Sequence, residues 1–450
     1  MTPADSQAIE RTEPRVLTRP EHSVSRKNIS TEALKVLYRL QRSGYTAYLV
    51  GGAVRDLMIG GQPKDFDVAT NARPKEIRSL FRNSRIIGRR FRLVHVFFRG
   101  EIVEVATFRA SPEPPEGPDE WAEAEHEEVE EASEEPTRGR MIHEAATYGS
   151  PEEDSIRRDF TVNALFYNIA DFSVIDYVGG IEDLRDGAIR TIGNADKRYL
   201  EDPVRMLRAL EYRVRLDFEL EDETRRAIAR CRESIQDASP ARLTYELFEG
   251  LRSGSAAGII SAWCAAGLFD LAFPGLGCGG DTTTEVLRAV DQGVAQGAVF
   301  ADSSLIGAFF VARFHDLVGT MTAGDTKLDN AELLIELKAM IDPTAAAMHL
   351  SNHTAHLLHQ GLFTLTKLRR PPDRGRQVLK LARQDYFHVA WDLFGLSAQV
   401  GLADRESYRS WSRALDRVRR GKAADEIVPG GRGPAPRKRR RRRSRGRRRP

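Results

Sequence analysis

Apolar residues recur at helical spacing between Thr31 and Ser43, at Ala33, Val36, Leu37 and Leu40, and the pattern then changes to a short apolar run, Tyr45 to Val50, that ends on Gly51-Gly52. A repeat near 3.6 marks an amphipathic helix, and a short run stopped by glycine marks a strand. The same reading predicts a helix over Ala53 to Ile59 stopped by Gly60-Gly61, a strand over Phe66 to Ala69, a helix over Pro74 to Phe81, and a hairpin of Arg92 to Phe98 and Glu101 to Phe108 turning at Arg99-Gly100. Thr161 to Ile169 and Val174 to Val178 read as strands, and Gly179-Gly180 to Gly193 as a turn-rich connector. From Tyr199 onward the signals are helical: Val204 to Arg215, Glu221 to Ser234, Thr244 to Leu251, Ala256 to Leu268, and more to about Arg419. The expected class is α+β, with a mixed-sheet segment followed by a long all-helical one.

At 450 residues the chain exceeds what a single core holds. We divide it into a polar N-terminal arm (1–30), a mixed segment (31–195) carrying an acidic, core-poor insertion (111–150), helical segments over 196–252 and 253–420, and an Arg-rich tail (421–450). The arm has no apolar stretch of signal-peptide type, and no window approaches the roughly 20 apolar residues of a membrane span, so the expected location is cytoplasmic. Three cysteines are too few and too scattered for a disulfide framework or a Cys-rich zinc site. Net charge is +3, but the 11 basic residues between Arg437 and Arg449 account for it; without them the chain stands at −8. Such a tail can track a polyanion by displacing its counterions, and RNA contact is weighed against a solvated tail with no partner.

Gly51-Gly52 lies between a strand and a helix, where backbone N–H groups can approach a phosphate with no Cβ in the way. Asp65 and Asp67 follow at i and i+2 on the next expected strand, so both carboxylates project from one face while Phe66 turns into the core. Paired oxygens of this kind hold Mg²⁺, and two such ions can clamp a phosphoryl displacement. Arg55 adds fixed positive charge near the turn, or else makes a surface ion pair with Asp56. Parity puts Glu104 on the face of Ile102, Ala106 and Phe108, where its carboxylate needs a partner, a metal shared with Asp65 and Asp67 or a salt bridge. Arg157-Arg158-Asp159-Phe160-Thr161-Val162-Asn163 gathers phosphate-binding forks and a ribose-binding acid, or a capped helix with ion pairs. Glu201-Asp202-Pro203-Val204-Arg205-Met206-Leu207-Arg208 opens a helix with an acidic cap and a proline at its first position, Arg205 and Arg208 sharing a face. An acceptor beside an arginine donor matches the base edge of adenine and equally that of cytosine, excluding G and U. Arg82, Arg85, Arg89, Arg90 and Arg92 surround Ile86-Ile87-Gly88 as a basic rim, read either as an exposed Arg-rich turn or as a contact for primer RNA or triphosphate. His315-Asp316 is half a metal-hydrolase pattern without its partner, and His349, His353 and His356 fall on one helical face with His359 toward its edge, where a polar face is weighed against a metal site that would lack an interleaved acidic ligand.

These runs resemble the bacterial poly(A) polymerase and CCA-adding enzyme family, nucleotidyltransferases related to DNA polymerase beta. The similarity covers Arg19 to about Leu251. It implies a polymerase-beta-like head followed by a helical neck, body and tail, with Mg²⁺ as cofactor and ATP and RNA 3′ ends as partners. By that resemblance Asp65 and Asp67 are the metal carboxylates, Arg158 and Asp159 contact ribose and phosphate, and Asp202 and Arg205 template the incoming base. Asp159 is then also the candidate third catalytic acid, a role for which Glu104 competes; Gly51, Gly52, Arg55 and Arg208 complete the nucleotide site. The Ile86-to-Val96 segment, the Arg19-to-Lys27 opening, the acidic insertion and the arginine tail favour the polyadenylating branch, which predicts template-independent transfer of AMP to RNA by a monomer. The alternatives are a CCA-adding enzyme, which stops after three nucleotides, and a noncatalytic RNA-binding scaffold.

Overall fold

The computed structural model describes residues 13–88, 92–110, 148–325, 327–372 and 375–420. The expectations for the start of the arm, for Arg89 and Arg90, for most of the acidic insertion and for the Arg-rich tail lie outside them. The chain forms two compact units, dividing between Pro274 and Gly275.

The first unit is built on an eight-stranded mixed sheet of order β1-β8-β7-β2-β3-β6-β5-β4. Its strands are β1 (Arg15–Leu17), β2 (Ala47–Val50), β3 (Asp67–Thr70), β4 (Ser84–Ile87), β5 (Leu93–Phe98), β6 (Glu101–Thr107), β7 (Leu165–Asn168) and β8 (Val174–Asp176). Only β3 and β6 run parallel, and the neighbouring pairs are antiparallel. Helix α1 (Thr31–Arg42) starts where Ser30 Oγ accepts from Ala33 N–H at 3.0 Å. It buries the four apolar positions read from the sequence, Ala33, Val36, Leu37 and Leu40. It packs with α3 (Pro74–Leu80) on one side of the sheet, over a layer that includes Val68, Val94, Val96, Val103 and Val105. Helix α2 (Gly52–Met58) follows the glycine pair, and the β5–β6 hairpin turns at Gly100, whose φ of +94° suits glycine.

Four local readings change, the first being Thr161–Asn163, which forms a short 3₁₀ turn ahead of β7 rather than part of the strand. The Arg-rich turn holds β4 instead: Ser84 to Ile87 pair antiparallel with β5 at the sheet edge, a strand too short and too interrupted by arginine for its pattern to stand out. The connector after Gly179 contains α5 (Gly180–Asp186), which follows α4 (Pro151–Arg157) and precedes β9 (Ala188–Ile189). Phe66 is half-buried rather than in the core, because the strand begins only at Asp67 and Phe66 sits in the segment leading into it.

Helices α6 (Ala195–Glu201), α7 (Val204–Leu216), α8 (Asp222–Cys231), α9 (Pro240–Arg252), α10 (Ala256–Ala265) and α11 (Phe269–Ala272) complete this unit, with β10 (Glu219–Leu220) pairing parallel to β9. α9 and α10 pack on α7, and Trp263 Nε1 donates to Leu207 O at 2.9 Å.

The second unit is helical: α12 (Asp281–Ala295), α13 (Asp302–Met321), α14 (Asn330–Ala347), α15 (Asn352–Leu368), α16 (Gly375–Ala382), α17 (Phe387–Gln399) and α18 (Arg405–Arg419). α13 is its hub, burying residues nearly all round and packing on α12, α15 and α17. Burial and the nearby Arg369 push His315 down to about 4, so it is neutral at pH 7 beside Ser397. His349 lies in the turn before α15 at φ +51°, off the helix face expected for it, and His359 reaches Asp342 at 2.9 Å. Among the described residues no helix is long and apolar enough to cross a membrane.

Candidate active site

A cavity of about 490 Å³ in the first unit is lined by Gly51, Gly52 and Arg55 of the glycine turn and α2, by Asp65 and Asp67, by Arg158 and Asp159, and by Asp202, Arg205 and Arg208. Ten of the eleven residues expected from sequence thus share one concavity, and Glu104 stands just outside it.

The glycine turn is built by side chains as much as by backbone. Gly51 has φ +71° and ψ −140°, and a Cβ there would stand 3.2 Å from Arg158 Nη1, so the missing side chain lets a guanidinium lie against the turn. Val54 and Arg55 N–H bond back to Gly51 O. Arg158 is held by Asp154 at 3.0 Å and by Asn163 O at 3.3 Å, over the ring of Phe166. Arg55 is not the surface ion pair considered above. It is buried, bonded to Asp56 at 2.8 Å and to Asn163 Oδ1 at 2.6 Å, over the ring of Tyr212. A buried guanidinium with its donors committed in this way braces the loop at Asn163 from below.

Asp65 precedes β3 and Asp67 opens it, yet both face the cavity. Neither makes a hydrogen bond or ion pair with another described side chain. Solvent reaches Asp67, but the cleft around it is crowded with protein. Desolvation, then Glu104, push its carboxyl up to about 6, with Arg158 opposing and Asp65 adding. Glu104 stands beside Asp67, one step before the Val68–Val105 pair of the parallel ladder. The parity argument placed it on the correct face, but that face is open, so no buried partner is required; Glu104 is exposed and paired with His95 Nε2 at 3.0 Å.

This donor set suits Mg²⁺. Among the described residues no three His, Cys, Asp or Glu side chains form a ready cage. Mg²⁺ takes one or two carboxylates and completes its octahedron with water and substrate phosphates, so an uncommitted pair whose mutual repulsion a cation relieves is the arrangement it needs.

On the far wall Asp159 is buried and closed in. Arg208 Nη2 lies 2.9 Å from its Oδ2, while Asn163 Nδ2 and Phe160 N–H donate to Oδ1. Burial opposes its charge, but Arg208, Asn163 and Phe160 outweigh that and hold its pKa low. In turn Asp159, with Tyr212, raises Arg208. Asp202 does not cap α7: Pro203 takes that position, and no side-chain oxygen caps the helix. Instead both Asp202 oxygens receive a fork from Arg242 of α9, at 2.8 Å each, with Arg205 Nε at 3.9 Å. Arg205 Nη1 donates to Arg198 O at 2.9 Å. Arg198 itself donates to the carbonyls of Arg157 and Arg158, tying α6 to the loop that carries the arginines.

Residues 47–190 match the family described as "Poly A polymerase head domain", and residues 217–278 that described as "Probable RNA and SrmB- binding site of polymerase A". The chain is 38% identical over 403 residues to Poly(A) polymerase I of Salmonella typhi, covering 88% of this chain and 84% of that one. The chain belongs to the poly(A) polymerase family. It is a nucleotidyltransferase with the family's mixed-sheet head and helical remainder. CCA-adding enzymes are further relatives: that of Bacillus licheniformis is 37% identical over 251 residues, 56% of this chain and 57% of that one. The solved CCA-adding enzyme of Bacillus stearothermophilus in complex with CTP superposes with a TM-score of 0.57 at 26% identity, covering 86% of this chain and 82% of that one.

Sequence reasoning missed Arg198, Tyr212 and Arg242. Tyr212 lies one helical turn beyond Arg208 in α7, a spacing that was available. Arg242 is 40 residues from its partner and carries no local signal.

Proposed function

We propose that this enzyme extends RNA 3′ ends with AMP from ATP, without a nucleic-acid template, by means of Asp65 and Asp67. The 3′ oxygen forms a bond to the α-phosphorus, the bond from that phosphorus to the β-phosphate bridging oxygen breaks, and pyrophosphate leaves. Asp65 and Asp67 would hold Mg²⁺, which when bound would lower the pKa of the attacking hydroxyl and neutralise charge on the leaving group. The turn at Gly51-Gly52 and the fixed guanidinium of Arg158 seat the triphosphate. Arg208, kept charged and oriented by Asp159, faces the ribose and phosphates; Asp159 is so fully engaged that we assign it this orienting work and not a metal. Arg205 and the Asp202 carboxylate meet the base edge, Arg242 fixing the direction of the carboxylate. Glu104 adds negative charge beside Asp67. The reading extends to Mg²⁺ as the metal, to the cytoplasm as the location, and to a monomer acting through its Arg-rich tail on RNA.

The observation that supports this best is an uncommitted carboxylate pair beside a glycine turn, in one cavity with arginines already held in place. The rival within the family is CCA addition. Products from ATP alone and from CTP with ATP, on unstructured RNA and on tRNA lacking its 3′ CCA, separate the two. We expect a long ladder from ATP alone on both substrates; growth confined to tRNA and ending after three nucleotides supports the rival.

A further inference from the structure

Beyond Asp67 the sheet continues into a surface outside the nucleotide cavity. Strand register sets four side chains in a row from the cavity to the sheet edge: Asp67 in β3, Glu104 in β6, His95 in β5 and Arg85 in β4. On one side of the row Phe97 pairs with Ile102 across β5 and β6; on the other, Leu93 pairs with Ala106 and with Ile87. α1 and α3 cover the opposite side of the sheet. On this side, among the described residues, Phe97 is 41%, Ile102 50% and Ile87 37% exposed. Arg82 and Arg99 occupy the turns at the Phe97 end. Tyr245 of α9, 62% exposed, lines the cavity with Asp65 and Asp67. That shared lining sets Tyr245 at the head of the row.

Large apolar side chains left in water beside a catalytic centre need an occupant, and the chemistry supplies one. The arginine wall of Arg158, Arg205 and Arg208 lies on one side of Asp67 and suits a triphosphate. An attacking hydroxyl must reach Asp67 from elsewhere, and the open sheet leads directly to it. Single-stranded RNA binds such surfaces by stacking bases on exposed aromatic rings while arginines at the border meet phosphates. Between Asp67 and the edge, Glu104 is the one acid in the row, and His95 pairs with it at 3.0 Å.

We propose that the open sheet side formed by β6, β5 and β4, with Tyr245 at its inner end, seats the 3′-terminal nucleotides of the RNA being extended. Bases stack on Phe97 and Tyr245, Ile102 and Ile87 fill the space between them, and Arg82, Arg85 and Arg99 border the backbone. The inference rests on the reading of Asp65 and Asp67 as the site of RNA extension.

The test uses the full-length protein and an oligoadenylate of fifteen nucleotides carrying 2-aminopurine third from its 3′ end. Without ATP, binding to wild type quenches the fluorophore through stacking. Phe97→Ala and Tyr245→Ala weaken the quenching and raise the KM for primer about ten-fold each, leaving the KM for ATP within two-fold. Phe97→Tyr restores both readouts. Val16→Ser, at an exposed position in β1 on the far edge of the sheet, changes neither. Unchanged quenching and primer KM in Phe97→Ala, or equal rises in both KM values, overturns the assignment. So does a wild-type dimer in sedimentation velocity that Phe97→Ala dissolves, since this surface would then join two copies. Failure of wild type to extend any RNA refutes the underlying reading instead, and the fluorescence result still reports on the surface.

Discussion

Asp67 and Glu246 are both carboxylates lifted by their surroundings, and the two lead to different predictions. Asp67 is lifted by desolvation and by Glu104 against the opposing charge of Arg158, and no described side chain bonds to it. Glu246 is lifted to about 7 by burial above all, with Arg208 opposing and Glu211 adding. Its folded form therefore keeps a proton that the unfolded form gives up near 4.5, so stability on its account falls as pH rises from about 4.5 to about 7. Glu246→Gln abolishes that loss. The melting temperature of the variant relative to wild type should rise between pH 5 and pH 8, and a flat or falling difference would show that Glu246 is ionised throughout. The Asp202–Arg242 fork makes a second prediction. Arg242→Ala frees the carboxylate to rotate, which should raise the KM for ATP several-fold and narrow its advantage over CTP; steady-state kinetics with each nucleotide checks this. The chemistry of single residues was legible where it is local. The residues that fix them, Arg242 at 40 positions' distance above all, come together only on folding.

The elements around the cavity explain why some sequence readings succeeded. α1, the hairpin and the glycine turn carry their own signals in apolar spacing and in positive φ. β4 and α5 do not: an edge strand rich in arginine and a seven-residue helix that begins at Gly180 are stabilised by what they pack on. Gly180 is informative here, because a Cβ at that position would lie 2.2 Å from Thr161 O. α5 presses on the short turn Thr161–Asn163, which bears Asn163, the residue that bonds Arg55 and Asp159. Gly180→Ala should cost about 1–3 kcal/mol from overpacking. Because the displaced turn carries Asn163, thermal unfolding and the KM for ATP should shift together. A shift in stability with an unchanged KM would separate that turn from the nucleotide site.

Across the whole molecule, family membership rests on similarity along most of the chain, whereas the residue roles rest on the geometry of the first unit alone. The α+β organisation was visible in the change from mixed to helical patterning near Tyr199. The compact division at Pro274 was not read, although Pro274, Gly275, Gly277, Gly279 and Gly280 interrupt the helical pattern between α11 and α12. The Arg-rich tail makes a prediction at this scale. Removing Arg437 to Pro450 should weaken RNA binding and flatten its salt dependence by about 0.7 in the log–log slope for each phosphate the tail had neutralised. Equal slopes for both forms would remove the tail from RNA recognition. The central claim is that two acidic side chains beside a glycine turn carry out adenylate transfer, and labelled-ATP incorporation into unstructured RNA by wild type, Asp65→Ala and Asp67→Ala tests it most directly. The account predicts a ladder of added adenylates for wild type and a loss of at least about a thousand-fold in either variant, with RNA affinity retained; wild-type rates in either variant would contradict it.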